Sequence, residues 1–126
     1  MTLILDSGAL LALERDDRAA WRRYESARLT GSAPASHGGV LGQVWRDGGP
    51  RQARLAKALK GIDVRPLDEV LGRKAGALLA ATGTRDVIDA ALVLLAEDGD
   101  EIVTSDPDDI GVLAGHAGLH IDVVPA

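Results

Sequence analysis

The stretch from Asp86 to Asp109 constrains this chain more than any other. Nine of the nineteen acidic residues fall within it: Asp86, Asp89, Glu97, Asp98, Asp100, Glu101, Asp106, Asp108 and Asp109. No Lys or Arg offsets them there. Between the charged ends runs an apolar segment, Val87 to Ala96, interrupted only by Asp89. A segment apolar almost all round reads as a buried helix, with Asp86 as its N-cap after the Gly83-Thr84 turn signal. Residues 101 to 105 then read as a short buried strand stopped by Asp106-Pro107. Asp89 follows Asp86 by three residues and shares a face of the first helical turn. A carboxylate that close to an apolar helix must be hydrogen-bonded, paired or bound to a cation, because an uncompensated buried charge is costly. Any one of these acids, taken alone, reads equally well as a helix cap, with Asp108-Asp109 capping the next helix. Taken together they exceed what capping needs.

The rest of the chain supplies the context for that cluster. Its 126 residues suffice for one domain, residues 1–126, with a real core. There is no cysteine, which excludes disulfides, thiol chemistry and Cys-ligated zinc. His37, His116 and His120 lack metal-ligand spacing and suggest surface or capping roles. The first residues, Thr2 to Leu5, read as a strand without a basic leader. The longest apolar run, Ala90 to Ala96, is too short for a bilayer. A cytoplasmic protein with no membrane association is the expectation.

A net charge of −5 argues at first against nucleic acid as a partner. Its distribution reverses the argument. Residues 46 to 60 hold Arg46, Arg51, Arg54, Lys57 and Lys60 against the single Asp47. A basic arm and an acid cluster on one small domain suit an anionic substrate held near bound cations, although a basic arm alone also reads as a solvated helix face. Trp21, Tyr24 and Trp45 are the only aromatics, so base stacking on aromatic platforms is not the main mode of recognition.

Short apolar strands alternate with helical patterns along the chain. Strands are expected near residues 2–5, 33–35, 62–65, 101–105 and 120–124. Helices are expected near 9–14, 18–29, 40–45, 51–60, 67–81, 87–96 and 108–117. Gly72 and Gly76, four apart, suggest a helix that lets a neighbouring backbone come close. The alternation predicts an α/β domain with a mostly parallel central sheet of about five strands, flanked by helices on both faces. Ligands of such sheets bind beyond the carboxyl ends of the strands, where strand order switches. Asp6 follows the first strand, Asp106 follows the 101–105 strand, and Asp89 opens the helix leading into the latter. Three carboxylates are therefore expected at one edge. Such a cluster repels itself unless protonated or bridged by cations, and an all-oxygen set selects hard ions such as Mg²⁺ or Mn²⁺. Ions held that way serve phosphodiester chemistry. Neither GxGxxG nor a Walker A loop is present, and no Ser–His–Asp set competes.

Three segments also carry a resemblance. Residues 5–10 (Leu-Asp-Ser-Gly-Ala-Leu) resemble the opening of PIN-domain nucleases. Residues 89–93 (Asp-Ala-Ala-Leu-Val) resemble their central acid motif, and residues 103–110 their last strand and acidic turn. Each motif is weak alone; in this order and spacing they cover nearly the whole chain. The chain is most similar to the VapC-like toxins of toxin–antitoxin pairs. The resemblance implies a Mg²⁺- or Mn²⁺-dependent ribonuclease, usually a homodimer, neutralised by a small antitoxin protein. It implies Asp6, Asp89 and Asp106 as catalytic metal ligands, with Asp109 or Asp86 in support. Arg46, Arg51 and Arg54 become candidate RNA phosphate contacts. The family carries a Glu on the helix after the second strand, where this chain has Gln43. An amide offers one carbonyl oxygen and no charge, leaving Gln43 a weak or outer ligand. A PIN-fold interaction module that binds an antitoxin without efficient turnover is therefore the alternative. A phosphorelay receiver needs an acid pair after strand one and a late Lys, but no Lys follows Lys74. A haloacid-dehalogenase phosphatase needs Asp-x-Asp, where this chain reads Asp6-Ser7-Gly8.

Overall fold

A computed structural model describes all residues, Met1–Ala126. The chain opens with β1 (Leu3–Leu5), α1 (Ser7–Glu14) and α2 (Arg18–Leu29). β2 (Ala35–His37) and α3 (Gly38–Val44) follow, then a 3₁₀ turn over Pro50–Gln52, α4 (Ala53–Leu59) and β3 (Asp63–Arg65). The second half contains α5 (Glu69–Thr82), α6 (Val87–Val93), β4 (Glu101–Thr104), α7 (Pro107–His116) and β5 (Asp122–Pro125). The five strands form one sheet in the order β3-β2-β1-β4-β5. Every pairing is parallel, with Leu3, Ile4 and Leu5 opposite Glu101, Ile102 and Val103. The mostly parallel α/β sheet expected from the sequence is thus parallel throughout, and the architecture is PIN-like.

The chain steps outward from β1 to β3, then returns to lay β4 on the other side of β1. Strand order switches between β1 and β4, which is where a ligand crevice is expected. The helices fall into two packed groups, α1 with α2, α3 and α4, and α5 with α6 and α7. Right-handed crossovers moving in opposite directions across a sheet put such groups on opposite faces. The core between them includes Ile4, Leu10, Leu13, Leu55, Leu92, Ile102, Ile110 and Leu113, all essentially without exposed surface. Trp21 and Tyr24 pack edge to face at 5.1 Å, and the Tyr24 hydroxyl donates to the Ala58 carbonyl at 2.8 Å. They are packing residues, as their helical spacing suggests.

Several boundaries differ from the sequence expectation, each for a local reason. α1 starts at Ser7 rather than Ala9 because Asp6 caps it, accepting from the Ala9 amide. β2 lies over Ala35–His37, not residues 33–35; buried Ser36 and His37 disguise it as a loop. The basic stretch 51–60 is a 3₁₀ turn followed by a short helix, not one amphipathic helix. Gln52, at the join, is buried and staples the preceding loop, donating to Glu14 Oε1 and the Val44 carbonyl and accepting from the Arg46 and Gly48 amides. α5 begins at Glu69, two residues beyond the expected Leu67, because Asp68 is its cap. α6 stops at Val93 instead of running to Ala96, and α7 starts at Pro107 with Asp106, not Asp108, at the cap position. Gly72 and Gly76 permit no close approach: a Cβ at either would meet nothing within 4 Å.

Candidate active site

The end of β1 is pinned to the end of β4 through Asp6. Its amide donates to the Val103 carbonyl at 3.1 Å. Its side chain is buried, with Oδ1 accepting from the Ala9 amide at 2.9 Å and Oδ2 from the Ser105 amide at 3.0 Å. Each oxygen keeps a further lone pair, since an ionised carboxylate offers about four acceptor sites. Gly8 makes this approach possible. A Cβ there would stand 2.7 Å from Ser105 Cβ and 3.3 Å from Asp6 Oδ1. The Asp6-Ser7-Gly8 turn is therefore a fixed seat for one carboxylate at the switch between β1 and β4.

Asp106 follows β4 by two residues. Its amide donates to the buried Thr104 Oγ1 at 2.9 Å, which turns the chain into α7. Although Asp106 sits at the cap position, its carboxylate makes no cap hydrogen bond and is exposed. Asp86 spends one oxygen on capping α6, accepting from the Ile88 and Asp89 amides at 3.0 and 3.1 Å. Asp89 is half-buried on the first turn of α6. Burial pushes its carboxyl up from 3.8 to about 7, and the charges of Asp86, Asp106 and Asp6 push the same way. Those three acids therefore share one electrostatic neighbourhood with Asp89 at the carboxyl edge of the sheet. Asp109 lies exposed on the first turn of α7 and is not among the groups that shift Asp89.

The acids gather but do not close. No three acidic or histidine side chains stand close enough together to form a ready ligand set. In donor chemistry the group fits a hard divalent cation: oxygen-only side chains, one of them seated by two backbone amides.

The remaining expected site residues are Gln43 and the three arginines of the basic segment. Gln43 is exposed in the last turn of α3, five residues and about 8 Å of helix rise beyond the start of that helix. Arg46 spreads its guanidinium over the end of α3, donating to the Trp45, Gln43 and Gly42 carbonyls at 2.7, 3.1 and 3.4 Å. Its donors serve as a helix C-cap, which competes with the phosphate contact expected of it. Arg54 pairs with Asp16 at 3.6 Å, both exposed, and Arg51 is exposed in the 3₁₀ turn. His37, for which the sequence suggests a surface or capping role, sits beside the acids' scaffold. His37 is fully buried, caps α3 and reaches the Ile88 carbonyl of α6. A histidine just before Gly38-Gly39, at the end of a possible strand, was the only signal for it.

No protein-family model matches the sequence, and no curated protein matches it. Among solved structures, the chain is similar to one in the crystal structure of VapBC2 from Rickettsia felis bound to a DNA fragment from their promoter. The TM-score is 0.71 at 13% identity, and the likeness covers 98% of both chains. At that identity what is shared is the fold, and it is shared from end to end.

Proposed function

We propose that this protein is a PIN-type, metal-dependent endoribonuclease, the toxin of a toxin–antitoxin pair. The observation that carries the reading is the set of acids at the β1–β4 switch, with Asp6 seated between the two strands and Asp89 beside it, its carboxyl raised to about 7 by burial and by Asp86, Asp106 and Asp6. Strongly perturbed carboxyls at such an edge mark functional sites. Asp6, Asp89 and Asp106 would hold Mg²⁺ or Mn²⁺, with Asp86 and Asp109 in support. A cation bound there supplies neutralisation of phosphodiester charge and lowers the pKa of water. Asp6 contributes a carboxylate oriented by two backbone amides. Asp89 contributes a carboxyl that gives up its proton near pH 7, so its charge is available when opposite charge arrives. Arg46 and Arg51, exposed and in no ion pair, and Arg54 are the candidate contacts to RNA phosphates. A small antitoxin, a second copy of the chain and a cytoplasmic setting belong to the same reading. The fold shared with the VapBC2 structure supports the antitoxin, and no helix is long and apolar enough to cross a membrane.

A second reading has its own support. Gln43 contributes no charge, and the acids do not close into a ligand set. Both favour a PIN-fold module that binds an antitoxin with little turnover. Cleavage of single-stranded RNA with Mn²⁺, beside the Asp6→Asn and Asp89→Asn variants, separates the two. The ribonuclease reading expects metal-dependent cleavage that both substitutions abolish. Cleavage that survives both, or none by the wild type at millimolar Mn²⁺, refutes it.

A further inference from the structure

His37 is a buried ionisable group that the proposed reaction does not use. It ends β2 with 0% of its surface exposed, and its two ring nitrogens join two helices. Nδ1 accepts from the Gly39 amide at 3.1 Å, and Nε2 lies 2.9 Å from the Ile88 carbonyl oxygen. A backbone amide can only donate, so Nδ1 is the bare nitrogen. Nε2 therefore carries the proton and donates it to Ile88. Burial lowers the pKa of the ring, which keeps this neutral form in place.

The Ile88 carbonyl and the Asp89 amide belong to one peptide group. That amide donates to Asp86 Oδ1 at 3.1 Å. The peptide leading into Asp89 is thus gripped at both ends, by His37 from the β2–α3 junction and by Asp86 from the cap of α6. The first turns of α3 and α6 touch at the same place. A Cβ on Gly39 would stand 2.5 Å from Ile88 Cδ1 and 2.9 Å from His37 Cε1.

We propose that His37 is a positioning residue for Asp89, fixing the Ile88–Asp89 peptide so that the Asp89 carboxyl stands among Asp6, Asp86 and Asp106. This rests on Asp89 belonging to the functional site. A histidine that only capped α3 would leave Asp89 indifferent to which of its two bonds is lost. The bonds can be separated by substitution. In His37→Asn the side-chain oxygen keeps the place of Nδ1 and the cap, but the side chain is too short for Ile88. In His37→Gln the amide reaches as far as Nε2 and can donate to Ile88, while the Gly39 amide loses its acceptor.

The experiment measures amide hydrogen exchange at Asp89 in the metal-free protein, together with calorimetric Mn²⁺ affinity, for the wild type and both variants. From the net strength of one hydrogen bond, His37→Asn should speed Asp89 exchange by about fivefold and weaken Mn²⁺ binding by about as much. His37→Gln should leave both within about twofold of wild type while melting at a lower temperature. Equal effects of the two variants on Asp89 exchange, or none from His37→Asn, overturn the proposal. A wild type that binds no Mn²⁺ sinks the metal reading, and the exchange comparison still decides about His37. If neither variant folds, ¹⁵N shifts of the wild-type ring decide. A slowly exchanging Nε2–H supports the assignment; a proton on Nδ1 overturns it.

Discussion

Replacing Asp89 by Asn should stabilise the metal-free protein, and only above the pH at which the unfolded carboxyl ionises. Asp89 holds its proton up to about pH 7 in the folded chain but loses it near 3.8 when unfolded. Between those values the folded state binds more protons than the unfolded state, so the wild type loses stability as pH rises through this window. Below about pH 4 the carboxyl is protonated in both states and contributes nothing. At 1.36 kcal/mol per pH unit the interval sets an upper bound of roughly 4 kcal/mol. Solvent screening of a half-exposed carboxylate reduces the working figure to about 2 kcal/mol. Asp89→Asn carries no charge at any pH and escapes this loss. In chelator, its melting temperature should therefore exceed that of the wild type by about 6–10 °C at pH 8 and match it at pH 4. Paired urea and thermal melts at pH 4, 6 and 8 measure the gap. A variant no more stable than wild type at pH 8, or a gap as large at pH 4, would refute the burial of Asp89 among neighbouring acids.

Asp6 should behave in the opposite way, because its carboxylate satisfies two backbone amides. Asp6→Ala should cost about 2–3 kcal/mol at pH 7 in urea melts, and a loss under about 0.5 kcal/mol would contradict the pinning of β1 to β4. Gly8→Ala should destabilise by about 1–3 kcal/mol, since its Cβ must displace Ser105; a neutral result would mean the turn is looser than described. Gln43→Glu tests the missing charge of the resemblance. If the residue faces the acids, the variant should bind Mn²⁺ about tenfold tighter and melt lower in chelator, whereas unchanged titration and melting would place Gln43 outside the site.

Much of the frame was legible because its signals are local. The apolar run ending in Asp6-Ser7-Gly8 announces β1 and its turn, and the Asp86 cap and the Asp106-Pro107 stop bracket α6 and β4. Once β1 and β4 are taken as neighbours, the gathering of Asp6, Asp89 and Asp106 at one edge follows from topology. The less legible parts are those where a polar residue serves the interior. Ser36 donates to the Leu5 carbonyl across the sheet at 2.8 Å, and His37 faces α6 rather than solvent. Their polarity pulled the expected strand away from 35–37, toward the preceding alanines. Gln52 hid the break in the basic segment in the same way, being buried by hydrogen bonds that no periodicity reveals. Asp100 belongs with these: it looked like one more member of the acid cluster, yet it is buried, accepting from the Thr2 and Glu97 amides. Arg46 reads as an RNA contact by charge alone, and no periodicity reveals that part of its guanidinium caps the end of α3.

Binding of a divalent cation by the carboxyls at the β1–β4 switch is what the proposed ribonuclease chemistry requires. Calorimetric titration of the wild-type protein with Mn²⁺ at pH 6 and pH 8, in buffers of different ionisation enthalpy, tests this directly. With Asp89 titrating near pH 7, a cation must displace its proton at pH 6 but not at pH 8. The prediction is an affinity about tenfold higher at pH 8, with close to one proton released per ion at pH 6. No detectable binding at millimolar Mn²⁺, or binding with the same affinity and no proton release at both pH values, would contradict it.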